Sequence, residues 1–181
     1  ETDAALYLGN QVFGGGGFGT RLMTEVREKR GLTYGVYSGF TGMQARGPFM
    51  INLQTRAELS EGTLQLVKDL LQDFIANGPT QQELDAAKRE MAGSFPLSTA
   101  SNAAIVGQLG AIGFYDLPLT YLEDFMGQVQ ALSVEQVKAA MVKHLDPEAL
   151  VIVSAGPTVE QKELPPPTDK PAEQPAAVPE H

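Results

Sequence analysis

The stretch from Phe13 to Ser38, FGGGGFGTRLMTEVREKRGLTYGVYS, decides the fold. Glycines 14 to 17 open it. A helix is predicted over about Phe18 to Arg30, ending in the basic turn Arg27-Glu28-Lys29-Arg30 with Gly31 behind it. Cations in a last turn followed by glycine are what a helix end favours, because they meet the free carbonyls and a left-handed exit. A β-prone run starts at once. It predicts strands at Thr33–Thr41 and Pro48–Thr55, with Gly42 to Gly47 as a hairpin connection.

Working outward, Ala4, Leu6, Leu8 and Val12 have the spacing of an N-terminal helix. Downstream, Leu64, Val67, Leu70, Leu71, Phe74 and Ile75 form one apolar helical face, stopped by Asn77-Gly78-Pro79. Thr80-x-x-Glu83, Thr120-x-x-Glu123 and Ser133-x-x-Gln136 read as capping boxes that start three later helices. A further helix is expected from about Asn102 to Gly113, and the β-branched run Ala149 to Ser154 reads as a buried final strand. The alternating charges of Glu83 to Glu90 read as a solvated helix face. The pattern is α+β, an antiparallel-containing sheet with helices clustered on one face.

Composition narrows the function. The chain has 181 residues, 43% hydrophobic and 19% charged, enough for one domain with a real core. Its formal net charge of -9 argues against nucleic acid, whose phosphates need a basic surface. No apolar run reaches the roughly 18 residues of a membrane span. There is no Cys, which excludes disulfides and thiolate metal sites. The first residues, Glu1-Thr2-Asp3, read as the start of a fragment or processed form, with a further strand expected ahead of Glu1. Seven of the twelve prolines fall between Pro157 and Pro179. Residues 1–157 are therefore expected to form the domain and 158–181 a Pro/Ala/Glu-rich flexible tail.

Gly14 to Gly19 formally satisfies G-x-G-x-x-G, but a dinucleotide loop needs a strand before it, and Ala4 to Phe13 have a helical pattern. The glycines are better read as a close-packed helix junction. The histidines are His144 and His181. His144 follows Lys143 at a helix end, where a cation is favoured, and reads as a cap rather than a ligand.

This order of features resembles the C-terminal domain of the zinc metallopeptidases of the pitrilysin and mitochondrial processing peptidase family (insulinase-like, M16 type). The glycine-rich start, the REKRGL turn and the following tyrosine match in order. So do GFYDLP at 113–118 and SVEQVKAAMVKHLDPEALVIV at 133–153, and the resemblance covers about residues 3 to 157. It implies a LuxS/MPP-like half-domain, completed by that further strand. It also implies that Arg27 and Tyr34, seven positions apart, bind substrate by facing the metal from the opposite wall of a closed chamber. Arg30 and Tyr37 share that spacing and are the competing register. The family's H-x-x-E-H motif is absent. The expectation is therefore a chain with no catalytic or metal-binding residue of its own. Zinc would sit on an N-terminal domain or a catalytic partner subunit, the substrate would be a peptide, and the full-length protein would be a dimer. The second expectation is a non-enzymatic structural homologue acting in assembly. A bacterial periplasm or cell envelope is the expected compartment, with the mitochondrion as alternative.

Overall fold

The computed structural model describes residues 3–43 and 47–168. Helix α1, Ala4–Asn10, is started by Asp3, whose carboxylate accepts from Ala5 N (2.9 Å) and Leu6 N (3.3 Å). It runs directly into a π-helical turn, Gln11–Gly15. Here the glycines are required. A Cβ on Gly15 would lie 2.0 Å from Asn10 Nδ2, and one on Gly14 would lie 2.6 Å from both Leu22 Cδ1 and Ser38 Oγ. The junction is close-packed, as the sequence suggested.

The next helical segment begins at Arg21 and not at Phe18, and most of it, Met23–Glu28, is π-helical rather than α. The wide turn is seen in the bond from Lys29 N to Thr24 O, 2.9 Å. Gly31 stops it at φ 60°, with Gly31 N donating to Arg27 O and Leu32 N to Val26 O.

Strands β1, Val36–Phe40, and β2, Phe49–Leu53, pair antiparallel with Val36 opposite Leu53 and Phe40 opposite Phe49. The hairpin is as expected; part of its connection, 44–46, lies outside the described residues. Five helices follow: α2 Ser60–Asn77, α3 Gln81–Ser94, α4 Asn102–Phe114, α5 Tyr121–Ala131 and α6 Val134–His144. The domain is thus mostly helical around a small two-stranded antiparallel sheet. The core joins Leu8 and Phe13 to Leu22, Val26, Val36, Phe74, Leu84, Val129, Val137 and Met141. Phe13 and Phe74 pack ring on ring at 5.1 Å.

Four further expectations need correction. Ala149 to Ser154 forms no strand among the described residues: Pro147–Ala149 is a 3-10 turn, and Val151 and Val153 are 92% and 90% exposed. A β-branched run is a strand only where it has a neighbour to pair with, and this one has none among the described residues. Thr120 does not cap α5; its backbone is already helical, and its hydroxyl donates to Asp124 Oδ2 instead (2.6 Å). Glu83 does not belong to a solvated face, since it pairs with Arg21. Finally, the chain does not leave the domain at Pro157. Gln161 Nε2 donates to Ala57 O, and Lys162 N to Glu58 O. Leu164 packs against Gly62 and the core, and Thr168 N donates to Lys29 O (2.8 Å). The rest of the expected tail, 169–181, lies outside the described residues.

Candidate functional site

The second π-helical segment buries Met23 and Val26 and turns Arg27 outward. Arg27 Cζ lies 4.8 Å from the Phe18 ring centroid and 5.3 Å from that of Tyr34. Both rings are exposed, Phe18 by 65% and Tyr34 by 90%. The Gly31 turn brings Arg27 and Tyr34 together, because it reverses the chain between the helix end and β1. They share an open surface outside the core. Two concavities of the domain lie elsewhere, against Asp3 and Leu132 and against Tyr115 and Tyr121.

Among the described residues the Arg27 guanidinium makes no ion pair. Its contacts are to ring faces, which use none of its N–H donors. A planar fork with unspent donors, beside a free phenol, can hold a peptide carbonyl and stabilise negative charge that develops on it. The competing register is occupied differently. Arg30 Nη1 donates to Glu25 O (2.8 Å) and to Glu25 Oε2 (2.9 Å), while Lys29 Nζ donates to Glu25 Oε1 (2.6 Å). Burial would raise the Glu25 carboxyl, but these hydrogen bonds and cations outweigh it and hold it below its ordinary value. Arg30 is therefore committed to closing its own helix end. Tyr37 lies on β1 with its ring against Gly35, where a Cβ would meet Tyr37 Cε2 at 2.8 Å.

Two residues here escaped sequence reasoning. The sequence pattern places Phe18 at a helix start; the signal that singles it out is a large apolar residue isolated between Gly17 and Gly19. Arg21 carries the more elaborate network. Its side chain is 13% exposed, binds Glu83 in a bidentate pair (Nε–Oε1 3.0 Å, Nη2–Oε2 2.7 Å), reaches Asp73 Oδ2 (3.0 Å) and Gly78 O (3.3 Å), and lies over Phe74. Burial would raise Glu83, but bonds from Arg21 and Thr80 hold it below its ordinary value. All of these donors are satisfied internally, so this network is structural.

No donor set for a metal is found among the described residues, where no three His, Cys, Asp or Glu gather. His144 ends α6 beside Lys143. The glycine cluster follows a helix and not a strand, so it does not cradle phosphates.

The family described as the peptidase M16 inactive domain matches residues 1–91. The chain belongs to this M16 family. A crystal structure of a peptidase M16 inactive domain from Pseudomonas fluorescens is 75% identical and superposes with a TM-score of 0.84, over 89% of this chain and 38% of that one. A Helicobacter pylori protein named as the non-peptidase homolog YmxG is 34% identical over 73% of this chain and 31% of its own length. A Streptomyces coelicolor protein named as an uncharacterized zinc protease is 29% identical over 69% of this chain and 27% of its own. The M16 chain described here thus spans about a third of the length of the curated relatives it matches. The family's description names this domain as inactive, while a relative carries a zinc-protease name.

Proposed function

We propose that this M16 domain is the substrate-binding, chamber-forming half of a zinc-dependent peptidase, with Arg27 and Tyr34 as the substrate clamp. The observation that supports it is the Arg27 guanidinium, unpaired among the described residues, beside the exposed Tyr34, with the competing Arg30 already committed to Glu25. No zinc donor set gathers among the described residues, and in this reading the metal is held by an N-terminal domain or partner subunit. What this chain does is bind and orient. Arg27 donates to a backbone carbonyl of an extended peptide, and the Tyr34 hydroxyl donates beside it, where charge builds up as the carbonyl is attacked. The substrate class is peptide, and a dimer in the bacterial periplasm or cell envelope is the setting that goes with this reading. No helix among the described residues is long and apolar enough to cross a membrane.

One observation favours a second reading, assembly without catalysis: the Helicobacter relative carries the name of a non-peptidase homolog. The experiment that separates the two is cleavage of an unstructured peptide library by the full-length protein together with its partner subunit. Cleavage that requires this domain, is lost to a chelator and returns with zinc is expected. A stable complex that cleaves nothing would support assembly.

A further inference from the structure

Phe18 is an exposed apolar side chain that the core does not account for. Phe13, five residues earlier, is fully buried, whereas Phe18 is 65% exposed. Burying a phenylalanine is worth roughly 1.5–3 kcal/mol, so its exposure is a cost that the fold does not recover. Nor does the ring sit on a loose loop. Gly16 before it cannot carry a side chain, since a Cβ would lie 2.8 Å from Gln11 O. Thr20 after it is buried and accepts from Met23 N with its hydroxyl (3.3 Å). The turn is held at both ends, and it presents the ring beside Arg27, 4.8 Å from Cζ. A guanidinium edge that can grip a carbonyl and an apolar ring face are thus offered in one patch. In an extended peptide, side chains follow the carbonyls at about 3.3 Å per residue, so both can be engaged by neighbouring groups of one substrate.

We infer that Phe18 is the specificity-determining residue of this site: its open ring face takes a large apolar side chain of the peptide whose carbonyl Arg27 holds. This rests on the substrate-clamp reading above. An acidic side chain pairing with Arg27 is the competing occupant, and the chain's net charge of -9 opposes it by repelling acidic peptides. A lysine side chain would face the Arg27 cation itself.

The test is equilibrium binding, read by fluorescence anisotropy, of labelled peptides that differ at one position: Phe, Leu, Ala, Glu or Lys. It uses the full-length protein with its partner. The same peptides are then assayed for cleavage. The native protein should bind the Phe and Leu peptides tightest. Phe18→Ala should weaken those two roughly tenfold and the Ala peptide less than twofold, because only an apolar side chain loses its partner. Phe18→Leu should recover most of the loss. Thermal melting of Phe18→Ala should match the native protein, since the ring is exposed. Equal weakening of all five peptides would make Phe18 only a support for Arg27 and overturn the inference. Tightest binding of the Glu peptide, abolished by Arg27→Ala, would also overturn it. Because binding is read without turnover, the Phe18 selectivity can hold where cleavage is absent. Conversely, cleavage indifferent to the varied residue would sink the selectivity and leave the clamp standing.

Discussion

The chain from Ala4 to Phe40 and the chain from Leu97 to Leu119 are both apolar and rich in glycine, and they use these residues in opposite ways. In the first, Leu8, Phe13, Leu22, Val26 and Val36 are buried, and Gly9, Gly14, Gly15 and Gly16 are places where another part of the chain comes too close for a Cβ. In the second, Leu97, Val106, Leu109, Phe114 and Leu119 are exposed, and Gly107, Gly110 and Gly113 have nothing near them. Helix α4 is apolar on every side yet buries only Ile112. A helix of that kind belongs in an interior, so it presents a surface to be covered. The difference separates what this domain stabilises by itself from what it offers to neighbours. The proposed clamp hangs on the self-sufficient region: Leu22, just before the π-helical segment that carries Arg27, closes on Gly14, and Thr20, beside Phe18, closes on Gly16.

That contrast can be broken by mutation. The largest effect is expected at Arg21, which ties the second helical segment to α2 and α3. Arg21→Ala should cost roughly 3 kcal/mol in urea unfolding, because it strands a partly buried Glu83. Next is Gly15→Ala, whose Cβ would strike the Asn10 side chain that is bonded to Ser38 (2.7 Å). About 1–3 kcal/mol of destabilisation is expected from the overpacking. The same change at Gly107 should act in the opposite direction. In an open helix interior, Gly→Ala reduces unfolded-chain entropy and should stabilise by about 0.5–1 kcal/mol. A destabilising Gly107→Ala would mean that α4 is already packed.

Acid should act through the self-sufficient region as well. Glu83 has a lower carboxyl value folded than unfolded, so the unfolded chain takes up the proton first as pH falls. The pair's contribution is complete above the unfolded carboxylate value of about 4.3 and is lost as pH drops through the folded value. The urea midpoint should therefore fall on acidification below that point, and less steeply in Arg21→Ala. Equal acid slopes in the two proteins would count against the pair.

Sequence periodicity was a good guide wherever an element answers to its own neighbours. Val67, Leu71 and Phe74 line the buried side of α2, and the boxes at Thr80 and Ser133 close with their partners Glu83 and Gln136. Periodicity failed where structure depends on distant residues. The Ala149–Ser154 run has strand composition but no pairing partner among the described residues. The first π turn ends in glycines that let Asn10, Leu22 and Ser38 close in, which a 3.6-residue repeat cannot express. Arg21 and Glu83 are 62 residues apart, and nothing local announces their bond. Arg27 and Tyr34 were singled out only through family resemblance; the residues alone fit an ordinary helix charge and strand tyrosine. Phe18 was missed because the helix was started three residues early.

The central claim is that Arg27 and Tyr34, and not Arg30 and Tyr37, grip the substrate. It is tested most directly by kcat/KM for peptide cleavage in the assembled full-length protein carrying each of four changes. Tyr34→Phe removes one donor near the developing charge and should lower kcat/KM roughly a hundredfold, in line with the 2.7–4 kcal/mol typical of such donors. Arg27→Lys should also lower it, since a point charge cannot replace a planar fork. Arg30→Ala should reduce stability through the loss of Glu25 contacts but leave kcat/KM of the folded protein near native, and Tyr37→Phe should do neither. Loss of cleavage in the Arg30 and Tyr37 variants, with Arg27 and Tyr34 variants active, would contradict the account.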